Sequence, residues 1–193
     1  THGLPRHDVR TGALVLRRVL PYFPAGVHLA VVDPEVGASR RAVAIRCIDE
    51  ERLLIGPDNG LLSLAGQRFG GIAEAVDLER SDLRLQPVAA TFHGRDIFSP
   101  IAAHLAAGVE MSAVGDPIDP RDVTRLEMPL ARMEGDTLVA HAVVVDRFGN
   151  AALDIEHEEL AMTGLRLGQH VTVEHDGVAH RAVYASTFAD VAK

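Results

Sequence analysis

The segment VHLAVVDPEVGASRR, residues 27–41, constrains this chain more than any other. Val27, Leu29, Val31 and Val32 form an apolar, largely β-branched run that stops at a carboxylate, Asp33, with Gly26 and Pro34 on either side. A short continuous run of this kind reads as a buried strand of a parallel sheet, whose two faces are both covered. A central strand over residues 27–33 puts Asp33 at its carboxyl end, the edge at which open α/β sheets bind ligands. Arg40 lies seven residues further on and can fold back over that edge, so one segment can deliver an anion and a cation to a single pocket. An ion pair that only pins the loop is the competing explanation.

The surrounding pattern alternates strands with helices. Asp8 is placed to cap a helix through VRTGALVLRRVLPYF, with Val9, Ala13, Leu16 and Leu20 on one face. AVAIRCI and RLLIG, residues 42–48 and 52–56, read as two strands joined by a charged turn. PDNG at 57–60 is turn chemistry leading into a helix at LLSLAGQRF, and IAEAVDL and VAATF (88–92) are further strands. HGRDIFSPIAAHLAAG then leaves a strand at His93 and enters a helix ending at Gly108, the expected residue just past the helix end. His93 thus occupies the same kind of strand-end position as Asp33.

Beyond DPIDPRDV the character changes. From Leu130 onward the chain is mostly strand-like, with hairpin turns at Gly135-Asp136, Gly149-Asn150 and Asp176-Gly177. The alternation up to about residue 118 is the α/β signature. The expected organisation is an α/β domain with a mostly parallel sheet over residues 1–123 and a small all-β domain over 124–193.

Several function classes are disfavoured. Nineteen basic against twenty-seven acidic residues give a net charge of −8 with no basic block, which argues against a nucleic-acid partner. No stretch approaches the ~20 apolar residues of a membrane span and no signal-peptide pattern opens the chain, so no membrane partner and a cytoplasmic location are expected. The single cysteine, Cys47, cannot form an internal disulfide and fits a buried thiol in a reducing compartment. There is no glycine-rich dinucleotide fingerprint and no P-loop. His170, His175 and His180 alternate faces along strands and have no matching cysteine or carboxylate cluster, so no metal site is expected.

Two further motifs carry candidate chemistry. In TFHGRD a histidine between an aromatic residue and a glycine is a poor packing choice, and its imidazole can donate and accept near neutral pH; bonding to a loop carbonyl is the alternative. In VVDRFGN a strand ends in Asp146, Phe148 and Asn150 around a glycine. Asn can bond two edges of a purine, Phe can stack on it and Asp can accept from an ammonium or hydroxyls. Asp and Asn are equally routine turn formers.

Taken in order, THGLPRHDVRTGA, HLAVVDPEVG with Arg40, PDNGLL, TFHGRDIFSPIAAHLA and VVDRFGN resemble the S-adenosylmethionine hydrolase family, also called S-adenosylmethionine hydroxide adenosyltransferases, which is related to the fluorinating and chlorinating halogenases. The resemblance covers nearly the whole chain. It implies an N-terminal α/β domain, a C-terminal β-barrel domain, and a homotrimer with sites at subunit interfaces. It implies hydrolysis of S-adenosylmethionine to adenosine and methionine, with no cofactor. The family's catalytic Asp-Arg-His triad falls on Asp33, Arg40 and His93. Asn150 would read the adenine edge, Phe148 would stack on the base and Asp146 would hold the methionine amino group. Phe92 would line the nucleophile pocket, His7 would lie near the methionine arm and Phe188 would be a second stacking partner. The family's ribose-binding first strand and a final Ser-containing segment have no counterpart in the sequence, which points to a chain lacking a first strand and truncated in its barrel. Glu35 stands where the family has glycine and adds an anion beside Asp33. The alternatives are a halogenase using chloride and a non-catalytic module that binds S-adenosylmethionine or adenosine.

Overall fold

Asp8 opens the first helix, α1 (Val9–Val19), by accepting from the Thr11 amide at 2.9 Å and the Thr11 hydroxyl at 2.6 Å. The bond to the amide satisfies one of the donors that every helix start leaves unpaired. Ala13, Leu14 and, just past the helix, Leu20 are buried, whereas Val9 and Leu16 of the expected face are half-buried. The computed structural model describes residues 6–129, 131–155 and 157–190, with the side chains of 157–159 excepted. The chain divides into two compact units, Thr1–Glu127 and Met128–Lys193.

In the first unit α1 is followed by β1 (Val27–Leu29), β2 (Ala42–Cys47), β3 (Leu53–Pro57), α2 (Ser63–Arg68) and β4 (Ile72–Asp77). A π-helical turn at Gly94–Phe98 runs into α3 (Ser99–Ala106), and α4 (Met111–Val114) and β5 (Asp116–Ile118) complete the unit. The five strands form one sheet in the order β1-β3-β2-β4-β5. Side chains alternate across it as the strand period requires. Ala42, Ala44, Leu53, Ile55 and Val76 share a core with Ile97, Phe98, Ile101, Leu105, Met111 and Val114. Val43, Ile45 and Leu54, also buried, lie on the opposite face, where α2 covers Ile45. Gly108 closes α3 as expected, at φ +91° with its amide on the Leu105 carbonyl.

The sheet is mixed rather than mostly parallel. Only β1 and β3 pair in parallel; β3–β2, β2–β4 and β4–β5 are antiparallel. The misreading has a physical origin: near-continuous apolar strands signal a sheet covered on both faces, and this sheet is so covered while its strands are joined mainly by reversals. The short connection between Cys47 and Leu53 leaves no room for the crossover that parallel neighbours need. Nor is residues 27–33 a central strand. Among the described residues its regular part is the three-residue strand Val27–Leu29, which pairs with β3 alone, and beyond the Ala30 amide's bond to the Ile55 carbonyl residues 31–33 leave the ladder.

VAATF, residues 88–92, is also not a strand. The Ala89 amide turns to the Asp96 carboxylate at 2.8 Å and the Phe92 amide to the Ala89 carbonyl at 3.3 Å, so this backbone is held by a turn and a side chain.

The second unit contains three antiparallel hairpins, β6 (Arg132–Glu134) with β7 (Thr137–Val139), β8 (Ala142–Val145) with β9 (Ala151–Leu153), and β10 (His170–His175) with β11 (Val178–Val183). A short helix, α5 (His157–Met162), lies between the last two. The β10–β11 turn places both Asp176 and Gly177 at positive φ, +50° and +74°, as a two-residue type I′ hairpin demands. Each hairpin is a separate two-stranded sheet, and no described side chain of this unit is fully buried. Among the described residues no helix is long and apolar enough to cross a membrane.

Candidate active site

The order of the strands brings the two ends of the Asp33–Arg40 segment to one place. β1 is parallel to β3 and β2 is antiparallel to it, so the chain leaving β1 crosses over the carboxyl end of β3 to enter β2. Close approach to β3 is permitted by Gly56, where a Cβ would lie 2.3 Å from the Ala30 carbonyl oxygen. On that crossover Arg40 turns back on Asp33. Its Nε donates to the two carboxylate oxygens at 3.0 and 3.1 Å, and its Nη2 donates to Oδ2. The two side chains are 4% and 6% exposed, so this pair is shielded from solvent and from salt screening. The Phe98 ring lies 5.5 Å from the guanidinium carbon on a further side.

Arg40 also reaches the third residue: Nη2 donates to His93 Nδ1 at 2.8 Å. A guanidinium has no acceptor, so Nδ1 must be unprotonated, and neutral His93 carries its proton on Nε2. Burial, and then the Arg40 charge beside it, push the His93 pKa below its ordinary value, partly opposed by Asp33. Arg40 is therefore the middle member of a linear array, carboxylate to guanidinium to imidazole.

The His93 end is built by Asp96, which is buried and is absent from the sequence-derived candidates. Its carboxylate accepts from the Ala89 amide and from Arg95 Nε at 2.6 Å, and these bonds, that to Arg95 first, hold its pKa down at about 2. The signal was visible in the HGRD spelling, since a carboxylate three residues into a helical turn can reach back for preceding amides. Gly37, at φ +80°, completes the junction: a Cβ there would sit 2.7 Å from the Ala90 carbonyl oxygen.

The remaining candidates are distributed as follows. Phe92 is 57% exposed and stacks under the Arg95 guanidinium at 4.8 Å. His7 is exposed in the turn before α1, at φ +64°. In the second unit Asp146, Phe148 and Asn150 share one turn. Asp146 accepts from the Phe148 and Asn150 amides at 2.8 and 2.9 Å and from Asn150 Nδ2 at 2.7 Å, and the Asn150 side chain above all holds its pKa below the usual value. Phe148 is exposed beside Arg147, and Phe188 is exposed in a separate 3₁₀ turn, Phe188–Asp190. Glu35 is exposed and makes no part of the Asp33–Arg40 pair. Among the described residues no group of three or more His, Cys, Asp or Glu is arranged to hold a metal ion. A cavity of about 350 Å³ lies between α1 and β1, lined by Leu16, Val19, Val27, Leu29 and Val32 among others, and contains none of the triad.

The mixed α/β unit thus carries a solvent-shielded Asp33–Arg40 pair that is hydrogen-bonded to a half-buried His93. Residues 1–115 match the family model described as the SAM hydroxide adenosyltransferase N-terminal domain, and the chain belongs to that family. It is 46% identical over 192 residues to the (R)-S-adenosyl-L-methionine hydrolase of Salinispora tropica, an alignment covering 100% of this chain and 70% of that protein. A protein named fluorinase from Actinopolyspora mzabensis is more distant, 26% identical over 98% of this chain and 71% of its own length. Among solved structures, an uncharacterized conserved protein from Thermotoga maritima superposes with a TM-score of 0.90 at 32% identity, covering 98% of this chain and 72% of that one.

Proposed function

We propose that this protein is an enzyme that hydrolyses S-adenosylmethionine to adenosine and L-methionine, by attack of a water-derived oxygen on the ribose C5′. The observation that carries the reading is the array Asp33–Arg40–His93, its ion pair shielded from solvent and its members held at hydrogen-bonding distances, in a chain of this family. In the reaction the new C5′–O bond forms as the C5′–S bond breaks, and the electron pair of that bond neutralises the sulfonium. Methionine leaves as a neutral thioether, so no general acid is required. What is required is a water about 3 Å behind C5′ and in line with the sulfur.

His93 offers Nε2–H to the oxygen of that water, while the charge of Arg40 favours its hydroxide character. Because Nδ1 is occupied by Arg40, protonating it would break that bond and set two cations side by side. Asp33 and bulk water are left as the acceptors of the water's proton. The charge of Arg40 is matched at contact by Asp33, which leaves no bare cation for a halide and disfavours the chloride reaction.

We assign Asn150 to the adenine edge, Phe148 and Phe188 to stacking, Asp146 to the methionine amino group, Phe92 to the nucleophile pocket and His7 to the methionine arm. Family resemblance supports these roles, and so does the clustering of the first two with Asp146 in one turn. Asn150 can keep its bond to Asp146 with one Nδ2 hydrogen while Oδ1 and the second hydrogen serve the base. The three hairpins of the second unit are read as parts of a small barrel. Exposed apolar side chains of the second unit, Val145, Phe148, Leu167 and Phe188 among them, support a homotrimer in which neighbouring subunits cover them.

The test is incubation with S-adenosylmethionine in chloride-free ¹⁸O-water, followed by mass spectrometry. Adenosine labelled at its 5′-oxygen, with methionine released, is the expected result. Binding without product would overturn the reading in favour of a non-catalytic module, and 5′-chloro-5′-deoxyadenosine formed on adding chloride would overturn it in favour of a halogenase.

A further inference from the structure

Immediately beneath the crossover that carries Asp33 and Arg40 lies the turn at Pro57–Gly60, and two consecutive residues of that turn hold the two ends of the crossover. At the near end Asn59 Nδ2 donates to the Val32 carbonyl at 2.9 Å, one residue before Asp33. The Asn59 amide cannot be flipped. Its Oδ1 accepts from the Leu61 amide at 3.2 Å, a group that only donates, and the Val32 carbonyl only accepts. At the far end Asp58 takes Arg41, one residue after Arg40, in two ways. The Asp58 amide donates to the Arg41 carbonyl at 2.9 Å, and the Asp58 carboxylate pairs with the Arg41 guanidinium at 2.7 to 2.9 Å. The second carboxylate oxygen accepts from the Thr124 amide at 2.7 Å, so the side chain, 2% exposed, is fully used.

We propose that Asp58 and Asn59 form a clamp that sets the register of Asp33 against Arg40, and that both are positioning residues for the reaction without touching substrate. The crossover residues 30–41 lie outside the strands, and backbone bonds tie the two ends of the crossover to β3 and the turn that leaves it: the Ala30 amide to the Ile55 carbonyl, and the Asp58 amide to the Arg41 carbonyl. The Arg41 end is thus set by the continuation of the β2–β3 pairing, whereas the Val32 end has no such backbone bond among the described residues, and the Asn59 side chain ties it to the same turn. A carboxylate–guanidinium fork tolerates little slippage, and a misplacement of about 1 Å at a site of this kind can cost on the order of 10²-fold in rate. The kinetic arm of this proposal rests on the hydrolytic reading above; the structural arm does not.

The experiment compares Asn59→Ala, Asn59→Asp and Ser63→Ala with the intact chain. Asn59→Asp keeps the acceptor for Leu61 and removes the donor to Val32. Ser63→Ala removes two bonds of similar location, from the Leu126 amide to Ser63 Oγ at 3.0 Å and from Oγ to the Gly60 carbonyl at 2.8 Å, neither of which is made to a residue of the crossover. Both Asn59 variants are expected to remain folded by circular dichroism and to lose roughly 10- to 10²-fold in kcat with KM changed less than about threefold, while Ser63→Ala keeps kcat within about twofold. In Asn59→Ala the NMR titration midpoint of His93 should move upward, toward that of an ordinary histidine, as Arg40 loses its place beside Nδ1. An unchanged His93 midpoint overturns the clamp, as does a kcat within twofold of the parent, or an equal loss in Ser63→Ala. If the parent chain itself yields no adenosine, the reaction assignment fails and the His93 titration alone decides the clamp.

Discussion

Arg40→Ala is the perturbation whose consequences follow most directly from the geometry. Arg40 is the only described partner of the Asp33 carboxylate, and it also engages His93, so removing it leaves an ionised group 6% exposed with no donor. Breaking a buried pair from one side costs about 3–5 kcal/mol, because the surviving charge keeps its desolvation penalty and loses its compensation. For a chain of this length that loss is a fall in melting temperature of about 6–20 °C. The double variant Asp33→Leu/Arg40→Met removes both charges and leaves no orphan. It should therefore be more stable than Arg40→Ala, although it changes two residues of the site. Calorimetry and urea unfolding of the three proteins check this. A loss under about 1 kcal/mol for Arg40→Ala, or a double variant less stable than the single one, would refute the account of Arg40 as the buried charge that neutralises Asp33. Arg40→Ala should also raise the His93 pKa, since the repelling cation is gone and Asp33 remains, and an NMR titration would show a downward move if that reasoning fails.

Asp33→Ala and His93→Ala should each lower kcat by on the order of 10²-fold with little change in KM, and full turnover in both would remove the triad assignment. Asn150→Ala should raise KM for S-adenosylmethionine more than it lowers kcat, because bonds to the adenine edge are made equally in the ground and transition states; steady-state kinetics with an unchanged KM would count against that role. The pH–rate profile should hold its plateau below about 6.5, the ordinary histidine value, and fall only as His93 protonates at its depressed pKa. The same depression means that the unfolded chain binds the proton first, so His93 subtracts stability as pH falls below about 6.5 and down to its folded value. A rate that already halves at pH 7 would contradict the neutral imidazole inferred from the Arg40 bond.

Much of this protein is decided by local pattern. Asp8 as a helix cap, Gly108 as a helix stop and Asp176-Gly177 as a hairpin turn each depend on backbone conformations and side-chain reach within four residues, which the sequence displays directly. The pairing of Asp33 with Arg40 across seven residues was also legible, since a strand end, a turn and a guanidinium are enough to suggest it. Strand direction was not. An apolar run says that both faces of a sheet are covered, and it says nothing of which neighbour lies beside it, so a mostly parallel sheet was expected where three of four pairings are antiparallel. VAATF was misread for a related reason: its β-branched and aromatic residues suit a strand, but the Asp96 carboxylate captures its backbone first. What only the tertiary structure decided is that the turn leaving β3 lies under the crossover between β1 and β2. Asn59 and Val32 are twenty-seven residues apart, and Arg40 and His93 fifty-three, so no local preference connects them. They meet because hydrogen-bond ladders and apolar burial fix the order of the strands, and that order carries the side chains into contact.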